Sequence, residues 1–213
     1  MIKAIIFDMD GVISDTQQNH SQTEAAILND CGIKITADEV TAKYSSVRVE
    51  DIFRDLFKKY NIQADIEALA VKKRKMVLAS LKKEVTPIEG IHNLVNTLYS
   101  AKYELAVGTT SSVANANIIL KTLKLSDKFS FIASGHDVKN GKPAPDVFLL
   151  AAKKLKVKPQ ECLVIEDGLA GMQAAKNAGM KCIGLVKTKN KNYQADILVN
   201  KLGDISLELI KKL

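Results

Sequence analysis

The chain has no tryptophan, and only eleven of its 213 residues are aromatic. Arginine is nearly as scarce. Three arginines (Arg48, Arg54, Arg74) stand among 31 basic residues, so the net charge of +7 comes from lysine. A nucleic-acid binder uses the planar fork of arginine for bases and phosphates, and aromatics for stacking. Their shortage argues against a nucleic-acid partner and for a lysine-rich solvated surface. Cysteine is limited to Cys31, Cys162 and Cys182, an odd number without metal-ligand spacing, which excludes a disulfide framework and fits a reducing cytoplasmic location. No apolar run approaches the ~18 residues of a membrane span. The first run, Ile5-Ile6-Phe7, is too short for the apolar segment of a signal peptide. No membrane partner is expected, and the expected state is a monomer.

What is present is ordinary globular material, 46% hydrophobic and 26% charged. At ~150 residues per domain, the length corresponds to about 1.4 domains. Short apolar runs at Lys3–Phe7, Tyr103–Val107, Phe129–Ala133, Cys162–Ile165, Cys182–Val186 and Ile197–Val199 read as buried parallel strands. Helical patterns separate them. Ile91, Leu94, Val95 and Leu98 share one helix face; Ser111 or Ser112 caps the next helix; Pro145-Asp146 opens a third; and Gly179 closes a fourth over Leu169–Ala178. This alternation predicts an α/β fold with a Rossmann-like parallel sheet and helices on both faces. Residues 15–85 break the rhythm. They hold no strand-like run and read as three or four helices, over Thr16–Asp30, Ala37–Lys43, Arg48–Lys59 and Asp65–Lys83. The expected organisation is a core of 1–14 and 86–213 with an inserted helical cap, 15–85.

In an open parallel sheet, ligands bind beyond the carboxyl ends of the strands. There the chain places Asp8-Met9-Asp10-Gly11, Gly108-Thr109-Thr110-Ser111-Ser112, Lys142-Pro143 and Glu166-Asp167-Gly168. Each piece alone has a bland reading, as a turn, a helix cap or a solvated pair. Four together, one after each strand, point to phosphoryl chemistry with Mg²⁺. Asp8 and Asp167 offer hard oxygen ligands, and an aspartate can attack phosphorus. Carboxylate and phosphate repel by ~4 kcal/mol at 4 Å and an effective dielectric of 20. A divalent cation and Lys142 would offset this. Asp10, two residues past Asp8, can serve as acid and base.

Phe7-Asp8-Met9-Asp10-Gly11-Val12-Ile13-Ser14-Asp15-Thr16 resembles the first motif of the haloacid dehalogenase-like hydrolases. Thr109 falls at the second motif, Gly141–Phe148 resembles the third, and Ile165–Gly171 the fourth. The helical insert is similar to the cap of the β-phosphoglucomutase-like branch. The resemblance implies Asp8 as nucleophile, Asp10 as acid/base, and Thr109 and Lys142 as holders of the phosphoryl group. It implies Mg²⁺ on Asp8, the backbone carbonyl of Asp10 and Asp167, with Glu166 nearby. Thr110 and Ser111 are expected to contact substrate. Dehalogenation in that family needs neither the second acid nor Mg²⁺, so the presence of Asp10 favours phosphate chemistry.

In the cap, His20, Arg48 and Lys75 match positions that mutases of that branch use near the acid/base and for a second phosphate. By themselves, His20 reads as solvated, Arg48 as a surface ion-pair partner of Glu50 and Asp51, and Lys75 as part of a solvated helix face. Where the mutases have a glycine-containing substrate loop, this chain reads Lys43-Tyr44-Ser45-Ser46-Val47. The expectation is a phosphatase acting on a small phosphorylated metabolite through an aspartyl-phosphate. The alternative is a phosphomutase with the same chemistry. A phosphonatase-like enzyme or a non-catalytic binding protein ranks lower, the latter because no motif is damaged.

Overall fold

The computed structural model describes residues 1–186 and 192–213. Its centre is a parallel sheet of strands β1 (Ala4–Phe7), β2 (Glu104–Thr109), β3 (Phe131–Ser134), β4 (Cys162–Glu166), β5 (Lys181–Leu185) and β6 (Ile197–Val199). The spatial order is β3-β2-β1-β4-β5-β6. Alternate residues of each strand serve opposite faces. Ile5 and Phe7 of β1 join one apolar cluster, with Leu105, Val107, Leu163 and Ile165. Helices α5 (Ile91–Ser100), α6 (Val113–Thr122) and α9 (Leu207–Lys211) cover that face. Ala4 and Ile6 point the other way, under α7 (Asp146–Leu155) and α8 (Leu169–Asn177). Burying each Leu, Ile or Phe in these layers contributes roughly 1.5–3 kcal/mol. Cys162 and Cys182 are small core residues of the second cluster, and burial pushes both thiols up, Cys162 to about 11.

Three strands, β2, β3 and β4, end later than the sequence suggests. Thr109 and Glu166 are the last residues of β2 and β4 rather than loop residues, because they pair with Ser134 and Gly184 on neighbouring strands. Sheet pairing fixes both backbones.

Between β1 and α5 lie α1 (Gln17–Asp30), α2 (Ala37–Tyr44), α3 (Val49–Tyr60) and α4 (Ile66–Leu81). They build a third apolar cluster around Ile27, Leu28, Ile52, Phe53, Leu56 and Phe57. Thr36 and Glu39 form a reciprocal capping box on α2. Asp65 precedes α4 and accepts from the Ala68 N–H, so the helix starts after it. The two chain crossings between core and cap pair with each other. Asp15 N–H donates to Thr86 O at 2.8 Å, and Ile88 N–H donates to Ile13 O at 3.1 Å. Val77 and Leu81 of α4 reach the first core cluster and seat the cap on the sheet edge. Among the described residues, no helix is long and apolar enough to cross a membrane.

Candidate active site

The strand order reverses between β1 and β4, the crevice where open α/β sheets bind ligands. Asp8 leaves β1 there, and Glu166 and Asp167 stand at the end of β4. One carboxylate oxygen from each of the three lies within 4.8 Å of the others. Lys142, fully buried on the loop after β3, donates to Asp8 Oδ1 at 2.6 Å and to Glu166 Oε1 at 2.7 Å. Its ammonium also lies 4.8 Å from the centre of the Phe148 ring. Glu166 Oε2 accepts from the Gly168 N–H at 2.7 Å.

Three carboxylates and one ammonium leave a surplus of negative charge in a largely buried site. Burial pushes Asp8 up to about 7, with Glu166 and Asp10 adding to the push and Lys142 opposing it. Burial likewise raises Asp167, reinforced by Glu166 and Asp8. Burial would lower Lys142, but Asp8 and Glu166 outweigh it and hold the ammonium charged. Asp167 Oδ1 is buried without a hydrogen-bond partner, as an oxygen reserved for a cation would be. The donor set is all oxygen, which suits Mg²⁺. Gly11 is required beside it, since its φ is +94° and a Cβ would collide with the Asp167 carboxylate.

Asp10 faces away from this cluster, toward the cap. Its Oδ1 accepts from the Thr16 hydroxyl, and its Oδ2 accepts from Ser111 Oγ at 3.0 Å. His20 Nε2 stands 3.3 Å from Oδ1. Burial pushes Asp10 up, but His20 and the Thr16 and Ser111 hydroxyls overcome it, and the carboxyl ends below the usual range. His20 Nδ1 lies 2.9 Å from the Lys73 ammonium, which itself pairs with Glu24 at 3.0 Å. An ammonium can only donate, so Nδ1 accepts and Nε2 carries the N–H that faces Asp10.

Thr109 is buried, its Oγ1 accepting from the Ser111 N–H at 3.0 Å. Thr110 and Ser111 line a polar pocket under the cap, shared with Gln17, His20, Tyr44, Asn115 and His136. Two cap expectations need correction. Lys75 is exposed on the outer face of α4. The buried stripe of that helix is Ala70, Lys73, Val77 and Leu81, at helical spacing, so Lys73 is the lysine that faces the site. Arg48, which precedes α3, is not directed at this pocket. Its Nε donates to Asp51 at 2.9 Å, and Nη1 and Nη2 donate to the Gly135 and Lys139 carbonyls at 3.3 and 3.4 Å. It lies across the cap–core joint.

Thr16 and Ser46 stood in sequence only inside the first motif and the altered cap loop, with no role of their own, and Glu24, Asn115 and His136 were passed over. A lysine inside the apolar stripe of α4 was the visible signal for Lys73. The others carry none without the fold.

Residues 5–185 match the family described as haloacid dehalogenase-like hydrolase. The chain belongs to that family. As a haloacid dehalogenase-like hydrolase it falls in the β-phosphoglucomutase-like branch of phosphoryl-handling enzymes. It is 33% identical to the beta-phosphoglucomutase of Bacillus subtilis, over 98% of this chain and 94% of the relative. It is 35% identical to the fructose-1-phosphate phosphatase YqaB of Escherichia coli, over 84% of this chain and 94% of the relative. The crystal structure of a beta-phosphoglucomutase from Clostridium difficile superposes with a TM-score of 0.88 at 28% identity, covering 100% of this chain and 96% of that one.

Proposed function

We propose that this hydrolase is a Mg²⁺-dependent phosphatase of small phosphate monoesters, sugar phosphates or similar organophosphates, working through an aspartyl-phosphate on Asp8. The observation that carries the reading is the division of labour between two aspartates. Asp8 sits with Lys142 and the acidic cluster at the sheet, and Asp10 turns toward the substrate pocket under the cap. The ion would be held by Asp8, Asp167 and the Asp10 backbone carbonyl, with Glu166 beside them. When bound, Mg²⁺ supplies positive charge that offsets the repulsion between carboxylate and phosphate.

An Asp8 oxygen forms a bond to phosphorus while the ester P–O bond breaks, and Asp10 delivers its proton to the leaving oxygen. Asp10 must be protonated for this step, and the negative charge of an incoming phosphate favours that form. Water then attacks the aspartyl-phosphate. Asp10 takes the water proton, the P–O bond to Asp8 breaks, and inorganic phosphate leaves. Lys142 stays charged throughout and faces the nucleophile. Thr109 shapes the turn that brings Thr110 and Ser111 to the pocket.

The phosphomutase reading shares every step except the second acceptor. Arg48 argues for hydrolysis. It would have to grip the second phosphate of a bisphosphate, yet its guanidinium is engaged by Asp51 and two core carbonyls. A panel of phosphate monoesters read by phosphate release tests the proposal. The panel includes β-glucose 1-phosphate with glucose 1,6-bisphosphate, followed for glucose 6-phosphate. Release from several sugar phosphates is expected. Isomerisation without release would overturn the phosphatase reading in favour of the mutase.

A further inference from the structure

The link between α2 and α3 carries a serine where mutases of this branch carry a glycine-containing loop. Ser46 keeps the backbone that suits glycine, with φ at +65°. Few non-glycine residues adopt that region, and they persist there when the surroundings enforce it. Its hydroxyl donates to Glu166 Oε2 at 3.2 Å, across the cap–core joint. The core is shaped to receive it. A Cβ on Gly168 would lie 2.5 Å from Ser46 Oγ and 3.0 Å from Ser46 Cβ. Glu166 is also the partner that shares Lys142 with Asp8.

We propose that Ser46 is a positioning residue: its hydroxyl ties the closed cap to Glu166 and so sets the Glu166–Lys142 pair beside the nucleophile. Opening the cap withdraws one donor from Glu166 and leaves Lys142 and the Gly168 N–H as its remaining partners. The kinetic arm of the test rests on the phosphatase reading; the exchange arm does not.

A residue that only makes a turn at this φ would improve as glycine. Ser46→Gly therefore separates the two accounts, since it relieves the backbone while deleting the hydroxymethyl group that reaches Glu166. The full-length protein with Mg²⁺ and orthovanadate is compared with Ser46→Gly and with Gly168→Ala. Gly168 has φ −100° and ψ 148°, so alanine suits its backbone and crowds the seat of Ser46 and the neighbouring Ser45 carbonyl. Three quantities are measured: melting temperature, kcat and KM for phosphate release, and amide deuterium exchange at residues 44–48 and 167–169. Ser46→Gly should melt no lower than the parent, lose roughly tenfold in kcat with KM little changed, and exchange faster in both segments. Gly168→Ala should lose kcat alike. A parental kcat or unchanged exchange in Ser46→Gly overturns the proposal. Should the parent release phosphate from no monoester, the phosphatase reading falls and the exchange result alone decides the role of Ser46.

Discussion

The sheet edge and the cap bring polar groups to the same cleft by different means. At the sheet edge Asp8, Thr109 and Glu166 continue or end a strand, so sheet pairing fixes the direction of their backbone. Asp8 continues β1, Glu166 ends β4, and Thr109 ends β2. In the cap the groups ride on helices, and one residue of offset turns a side chain by about 100°. Lys73 and Lys75 are two residues apart, yet one is buried against His20 and the other is in solvent. Motif spacing is therefore a dependable guide at the edge of a parallel sheet and a weak one on a helix. The consequence extends to energetics. The sheet edge gathers three carboxylates around one ammonium, while the cap groups form a chain of alternating partners, Glu24–Lys73–His20–Asp10, whose last link, His20 Nε2 to Asp10 at 3.3 Å, is close but makes no hydrogen bond.

The largest expected effect falls on the sheet side. Asp8→Asn should remove essentially all turnover, measured as phosphate release; substantial residual activity would refute covalent catalysis. Asp10 is where the two regions meet. Asp10→Asn should lower kcat by about 10²–10⁴, the usual contribution of a general acid–base, in both half-reactions. Trapping of phosphorylated Asp8 at the parental rate in that variant would restrict Asp10 to the second step.

A lysine pair sharpens the contrast. Lys73→Met should lower kcat/KM about tenfold or more by leaving Glu24 and His20 unpaired, whereas Lys75→Met should stay within about twofold of the parent. Equal effects of the two would abolish the distinction between the faces of α4.

The smallest effect is a pH dependence of stability without metal. The Asp8 carboxyl is raised in the folded protein to about 7 from an ordinary 3.8. A raised carboxyl gives a stability contribution that is present below about pH 4 and lost as pH rises toward 7. Metal-free melting temperature should therefore carry a downward component across that window, flattened in Asp8→Asn. Mg²⁺ should raise the melting temperature more at pH 8 than at pH 5, since ionised Asp8 is the form that binds it. A Mg²⁺ shift that is equal at both pH values would break this account.

The parts of the fold that sequence revealed are those in which local pattern and tertiary role coincide. Short β-branched runs cannot be satisfied except inside a covered parallel sheet, so the strands were legible, with β2 and β4 extended at their ends by pairing to neighbours. The segment expected as a helix over Arg48–Lys59 likewise holds α3, whose buried stripe is Val49, Ile52, Phe53, Leu56 and Phe57. Ser111 was expected at the site, but neither it nor Thr16 showed in sequence as a partner of Asp10, because a hydroxyl is equally at home in solvent. Only the meeting of α1 with the turn after β2 puts both on Asp10.

Taken alone, the order of residues determined the chemistry available: two aspartates two residues apart, a threonine, a lysine and an acidic pair, on the segments that follow the strands. It determined this because chain connectivity and sheet pairing leave those positions little freedom. Tertiary structure decided which lysine of α4 serves the site, where Arg48 spends its charge, and that Ser46 reaches Glu166 at 3.2 Å. Those outcomes depend on the rotation of helices and the seating of the cap on the core. Contacts between segments 53 to 120 residues apart in the chain set them, and no local pattern encodes them.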